Sequence, residues 1–277
     1  MFTKNISAAV LALVAPALVA GQTYTSCSPL TSTCPADPAF GKDTVHCDFS
    51  NGLSDAFTNI GGTEIEYGPN GAVLSISALG QAPTIATGKY IFFGRVDVEL
   101  QAAPGVGIVT SAVLQSDDLD EIDWEWLGGD NTQVQTNYFS KGDTTTYDRG
   151  AFHPVENPVG SFHVYSIEWT PAAVNWIIDG TVVRTLTYED AKGGSSYPQT
   201  PMQIKLGTWV AGRPDAAEGT IIWAGGMADF SKAPFVGYYK SISIVDYAGG
   251  DAPTTKSVRE YIYGDQSGSH QSIQVVV

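Results

Sequence analysis

The chain has 277 residues, 43% of them hydrophobic, and a formal net charge of −15. That is enough apolar material for a sizeable core, in one all-β domain or two small ones. The acidity argues against nucleic acid or an anionic membrane as partner, because both need basic patches. It fits a neutral or cationic ligand in an acidic medium, and equally well a charge that only keeps the chain soluble.

Lys4 precedes an apolar run from Ala8 to Val19 that ends in the small residues Ala20-Gly21. The run is too short to span a bilayer and has the pattern of a secretory signal, with cleavage expected after Ala20 or Gly21. Residues 1–21 are therefore expected to be a leader and 22–277 a single domain, since no linker-like composition interrupts them. Export permits disulfides. Three cysteines allow one internal pair, and Cys27–Cys34, closing a short loop around Pro29, is the expected one. Cys47, in His46-Cys47-Asp48-Phe49 at the start of the first strand, reads as a small buried hydrophobe. The paired Cys and His spacing of a zinc site is missing.

Nearly every later segment reads as a strand. Ala72 to Ser77 follows the turn Gly68-Pro69-Asn70-Gly71, and Val96, Val98 and Leu100 alternate with charged residues. Strands are expected at Ile108 to Leu114, through the acidic run at 121–126, and at Gln133 to Phe139 and His163 to Trp169. Trp176 to Val183 reads as a hairpin turning at Asp179-Gly180. Met202 to Val210, Gly219 to Ala224 and Tyr238 to Tyr247 complete the set, and only Tyr188 to Lys192 suggests a helix. Many short strands with no helical period predict a sandwich or jelly roll.

Within that pattern, Glu121-Ile122-Asp123-Trp124-Glu125 carries three carboxylates at every second position. A period of two puts all three on one face of a sheet and turns Ile122, Trp124 and Trp126 into the core. Like charges so close destabilise a strand, so structure alone gives little reason to keep them. A glycosidase has a reason: it needs a carboxylate on one side of the scissile bond and a carboxylic acid near the leaving oxygen. The competing readings are a solvated acidic strand and a calcium site, since alternating Asp and Glu can supply oxygen ligands.

The strand Asp120 to Trp126 resembles the catalytic strand of glycoside hydrolase family 16, which folds as a concanavalin-like β-jelly roll with an open substrate cleft. Gln135 to Phe139, Lys205-Leu206-Gly207-Thr208-Trp209, Gly219 to Gly226 and Tyr239 to Tyr247 narrow the resemblance to the fungal Crh group of cell-wall transglycosylases. It implies an all-β, cofactor-free retaining enzyme that cleaves a chitin donor and passes the chain to a β-glucan or chitin acceptor. By the same resemblance Glu121 is the nucleophile, Glu125 the general acid/base, and Asp123 the residue that orients Glu121. A secreted, extracellular monomer of the cell wall is implied, with room for a lipid anchor in a longer product. No nucleic acid or nucleotide partner is expected. The same acids also suit an endo-β-glucanase, and the scaffold without turnover would be a lectin.

Retention requires the two carboxyl groups to lie about 5–5.5 Å apart. Four residues of flat strand span roughly 13 Å. The strand is therefore expected to curve, or the Glu side chains to lean inward.

Lys205, Gly207 and Trp209 alternate on one face of a later strand, with Thr220 expected on a neighbouring one. An indole offers a flat surface to a sugar ring, and Lys and Thr offer donors to its hydroxyls or N-acetyl group; the resemblance implies that these positions hold the chitin chain. The alternative is a core tryptophan and a surface lysine. Gln135 and Asn137 share parity on the strand after the acids, placed either to bond sugar hydroxyls or to satisfy the carboxylates. Trp223 is a second candidate platform, whereas Trp169 and Trp176 fit core positions. None of His46, His153, His163 and His270 has the partners of a triad or metal site. Ala211-Gly212-Arg213, where a Gly-Gly-Asp-like turn is usual, and Ile222, where Glu is commoner, depart from the pattern of the group.

Overall fold

The computed structural model describes residues 24–277, so the expected leader lies outside the described residues. The first part of the chain forms β1 (Asp37–Pro38), β2 (Val45–Asp48), β3 (Phe57–Asn59), β4 (Glu66–Gly68), β5 (Gly71–Ile76) and β6 (Thr84–Thr87). The middle forms β7 (Gly94–Gln101), β8 (Ile108–Ser116), β9 (Glu121–Leu127), β10 (Gln133–Phe139), β11 (Ala151–Pro154) and β12 (His163–Trp169). Then follow β13 (Ala173–Ile178), β14 (Thr181–Thr187), β15 (Met202–Val210), the helix α1 (Glu218–Trp223), β16 (Phe235–Asp246), β17 (Glu260–Tyr263) and β18 (Ile273–Val276).

Two antiparallel sheets pack face to face. The seven-stranded sheet runs β11-β10-β9-β8-β15-β6-β3, and the eight-stranded sheet runs β14-β13-β12-β7-β16-β5-β4, with β2 also paired to β16. A small third sheet joins β1, β17 and β18. This is the jelly-roll sandwich that the strand pattern predicts.

The alternation that makes each strand also makes the core. On β7, Val96, Val98 and Leu100 are buried while Arg95, Asp97 and Glu99 are only partly covered. β8 lies in the middle of its sheet and is buried along its whole length. Trp124 and Trp126, on the inner face of β9, meet the ring of Tyr165 from β12 at 5.4 and 4.5 Å. Trp169 and Trp176 are fully buried, as their periodicity implies. Aromatic rings of this size, shared between the two sheets, fix how the sheets stack.

The Cys27–Cys34 disulfide is formed, and Cys47 is a free, buried thiol donating to Ser54 Oγ at 3.1 Å. Two expectations fail. Residues 219–224 are not a strand but belong to α1, so Thr220 sits on a helix and not on a neighbouring strand. The β-branched run Thr220-Ile221-Ile222 favours extension, yet the surrounding loop is tied at both ends to one residue. Ala211 and Gly212 donate to the Gly107 carbonyl, and Gly107 donates to Ala224. Pinned in that way, the segment folds back on itself and closes a helical turn, so tertiary context overrides β-propensity. Gly212 is required at this crossing, because a Cβ there would lie 2.2 Å from the Gly226 carbonyl oxygen. Tyr188 to Lys192 forms hydrogen-bonded turns and not a helix, running into Gly193 and Gly194, both at positive φ.

Candidate active site

Antiparallel register lines up the outer-face residues of the seven-stranded sheet in rows. Glu121 stands between Phe139 on β10 and Gln115 on β8, and Gln203 on β15 lies beyond Gln115. Asp123 stands between Asn137 and Val113, with Lys205 next in the row. Glu125 stands between Gln135 and Ser111, followed by Gly207. The structure thus gathers the three acids with Gln135, Asn137, Lys205 and Trp209 on one face. The register of β9 is unbroken on both sides.

The strand end that carries Glu121 is anchored by its neighbour. Asp120 is fully buried and accepts from Ser140 Oγ (2.8 Å), Lys141 N (3.0 Å), Gln199 N (2.7 Å) and Thr200 Oγ1 (2.9 Å). Beneath the sheet, the buried Tyr239 hydroxyl lies 2.9 Å from the Ser111 carbonyl and 2.7 Å from that of Gly207. Its single hydrogen, shared between them, ties β8 to β15.

The three carboxyl groups sit in unequal surroundings. Glu121 is buried, which raises its pKa, but a hydrogen bond from Asp123, one from Gln115 and the charge of Lys205 all oppose that rise. Gln115 Nε2 donates to Glu121 Oε2 at 2.9 Å, and Lys205 Nζ donates to Gln115 Oε1. Asp123 receives no donor on either oxygen. Burial first, then the charges of Glu121 and Glu125, hold it well above the usual carboxylate range, and as the neutral acid it donates to Glu121. Glu125 is pushed up to about 8, chiefly by burial and then by the charge of Glu121. Glu121 is therefore the acid that ionises first, while Asp123 and Glu125 keep their protons.

Trp209 and Trp223 stack with ring centres 6.1 Å apart, and Trp223 Nε1 donates to Gln135 Oε1 at 2.8 Å. Asn137 Oδ1 accepts from the Tyr138 amide. Thr220 lies three residues before Trp223 on α1, outside the sheet. Ile222, at the position where Glu is commoner, is exposed, and Arg213 pairs with Asp215 at 3.4 Å. Sequence reasoning missed Gln115 and Ser111. Their signal was present: both share the parity of the acids once a short turn at 117–120 pairs β8 with β9. Among the described residues no group of three or more His, Cys, Asp or Glu is arranged to hold a metal ion.

Residues 53–225 match the family model for glycosyl hydrolases family 16. The chain belongs to that family. Within it the likeness is to the fungal Crh group. Crh-like protein 5 of Aspergillus fumigatus is 50% identical over 268 residues, covering 97% of this chain and 66% of that protein. Congo red hypersensitive protein 1 of Saccharomyces cerevisiae is 45% identical, covering 90% of this chain and 47% of its own length. The chain thus spans about half to two thirds of these two curated relatives. A solved structure described as Crh5 transglycosylase in complex with NAG superposes with a TM-score of 0.84 at 50% identity, covering 90% of this chain and 99% of that one. Bacillus licheniformis β-glucanase, at 21% identity and a TM-score of 0.60 over 73% of this chain and 97% of that one, shares the fold.

Proposed function

We propose that the protein is a secreted, monomeric, retaining transglycosylase of the cell wall, cleaving β-linked N-acetylglucosamine chains and transferring them to β-glucan or chitin acceptors. One observation carries this reading: β9 presents Glu121, Asp123 and Glu125 on one face with environments that separate their protonation. The relative described as a transglycosylase in complex with NAG supports the donor class.

In this mechanism ionised Glu121 attacks the anomeric carbon while Glu125, still protonated near neutral pH, gives its proton to the leaving oxygen. Esterification then removes the charge of Glu121. That charge is one of the two causes holding Glu125 up, so Glu125 becomes more acidic after donating its proton. It is then a carboxylate, fit to take the proton of the acceptor hydroxyl in the second step. Asp123, neutral and donating to Glu121, orients the nucleophile and gives up that bond as the ester forms. The Trp209–Trp223 stack is a flat apolar surface for sugar rings beside the acids, with Gln135 and Asn137 as polar groups along it. Transfer prevails over hydrolysis when a bound acceptor hydroxyl replaces water at the ester.

The test incubates labelled chito-oligosaccharide with and without a laminari-oligosaccharide acceptor. Larger labelled products support the proposal. New reducing ends without larger products indicate a hydrolase, and unchanged label indicates a lectin; either would overturn it.

A further inference from the structure

We propose that Lys205 and Gln115 form a positioning relay for Glu121, in which the Lys205 ammonium fixes the Gln115 amide and the amide holds one oxygen of Glu121 in place. The inference rests on Glu121 being the nucleophile and assigns two residues that act through it. Lys205, which the sequence suggests as a donor to the sugar, thereby works one step away from the substrate.

Geometry supplies the argument. Gln115 is 2% exposed and Glu121 7%, so their contact lies in the floor of the site and is shielded from water. Gln115 and Glu121 are direct partners across β8 and β9, whereas Lys205 is in register with Val113 and must reach diagonally to Gln115. The amide has one orientation that satisfies both neighbours. Its carbonyl oxygen must face the ammonium, which only donates, and its NH2 must face the carboxylate, which only accepts. Turning it over would set donor against donor and acceptor against acceptor. Lys205 therefore fixes the Gln115 rotamer, and through it which Glu121 oxygen is engaged; the other remains for Asp123 or for attack.

The charges around Glu121 explain why a cation is useful here. Asp123 and then Glu125 follow it on β9, Phe139 faces it from β10, and Lys205 stands behind Gln115 on β15, where burial lowers its pKa against the charges of Glu121 and Asp117. Lys205 sets a positive charge against this acidic cluster, and its effect on Glu121 is to favour the ionised form.

The experiment compares K205M, K205Q, Q115L and the K205M/Q115L double variant with E121Q, measuring kcat, KM, pH–rate profiles and thermal unfolding. The relay predicts that K205M lowers kcat by about tenfold to a hundredfold, by analogy with the loss of the groups that orient metal ligands. KM should stay within about twofold, and the acid limb of kcat/KM should move up by on the order of one pH unit. K205Q, which keeps a donor to Gln115 without the charge, should recover part of kcat but not the acid limb. The double variant should be no worse than the poorer single one. If K205M does not fold, K205Q and Q115L carry the same comparison. A raised KM with kcat and acid limb unchanged would show direct sugar contact, and additive losses would show independent roles; either overturns the relay. Turnover retained in E121Q would overturn the nucleophile assignment itself, and is a separate outcome.

Discussion

Trp176 Nε1, from the eight-stranded sheet, donates to the main-chain carbonyl of Asp123 at 3.1 Å. The indole is fully buried, so a core residue of one sheet holds the backbone beneath the acids of the other. Arg184 lies over the same ring at 4.8 Å and donates to the Thr136 carbonyl, extending the clamp to β10. Trp176→Phe should keep most of the packing and lose the N–H. The expected cost is about 1 kcal/mol. Thermal unfolding checks the stability loss, and kinetics should show kcat reduced more than KM is raised.

Glu121→Gln should abolish turnover in a protein that melts like the parent. Glu125→Gln should lower the rate with natural oligosaccharides by about 10²–10⁴-fold. With an aryl glycoside, whose leaving group needs little protonation, the first step of E125Q should largely survive and the glycosyl-enzyme should accumulate. Intact-protein mass spectrometry reads that adduct. Its absence, with equal losses on both substrates, would refute the division of roles between the two acids.

The elevated Glu125 sets the alkaline side of the pH profile. In the proposed mechanism its proton goes to the leaving oxygen, so kcat/KM should fall as pH rises through about 8. The acid side belongs to Glu121. Because the charge of Glu121 contributes to the elevation, the Glu125 titration should move below about 8 in E121Q, as followed by carboxyl-labelled NMR. An unchanged titration would mean that burial alone holds it there.

Trp223→Ala removes one plate of the Trp209–Trp223 stack and the hydrogen bond to Gln135. An aromatic pair is worth about 0.5–1.5 kcal/mol beyond its buried area. The expected outcome is a KM for the donor raised by about tenfold, with kcat changed much less. A fall in kcat at constant KM would place the pair outside the binding surface.

Asp37, on β1, is buried with Oδ2 unpartnered, and burial followed by the charges of Asp117 and Asp118 pushes it up to about 8. The folded chain therefore keeps a proton that the unfolded chain has released above its ordinary value of 3.8. Stability from this group falls as pH rises from about 4 to about 8. Asp37→Asn should raise the melting temperature at pH 8 and leave it nearly unchanged at pH 4. A loss at both values would show that the carboxyl has a structural partner.

Sequence by itself determined the strand content, the inward-facing tryptophans and the parity of the three acids, because a strand repeats every two residues whatever lies beside it. It also favoured the Cys27–Cys34 pair, whose ends are seven positions apart, and the structure has that bond formed. It did not determine α1, where a strand-like composition folds into a helix because Gly107 ties both ends of its loop. Nor did it show that Lys205 is bonded to Gln115, or that Gln115 reaches Glu121. Those contacts depend on register between strands and on a residue 90 positions away, and no local pattern encodes them. The protonation order of the acids was likewise decided by tertiary structure, since burial and neighbouring charge, rather than residue type, separate three chemically similar carboxyls.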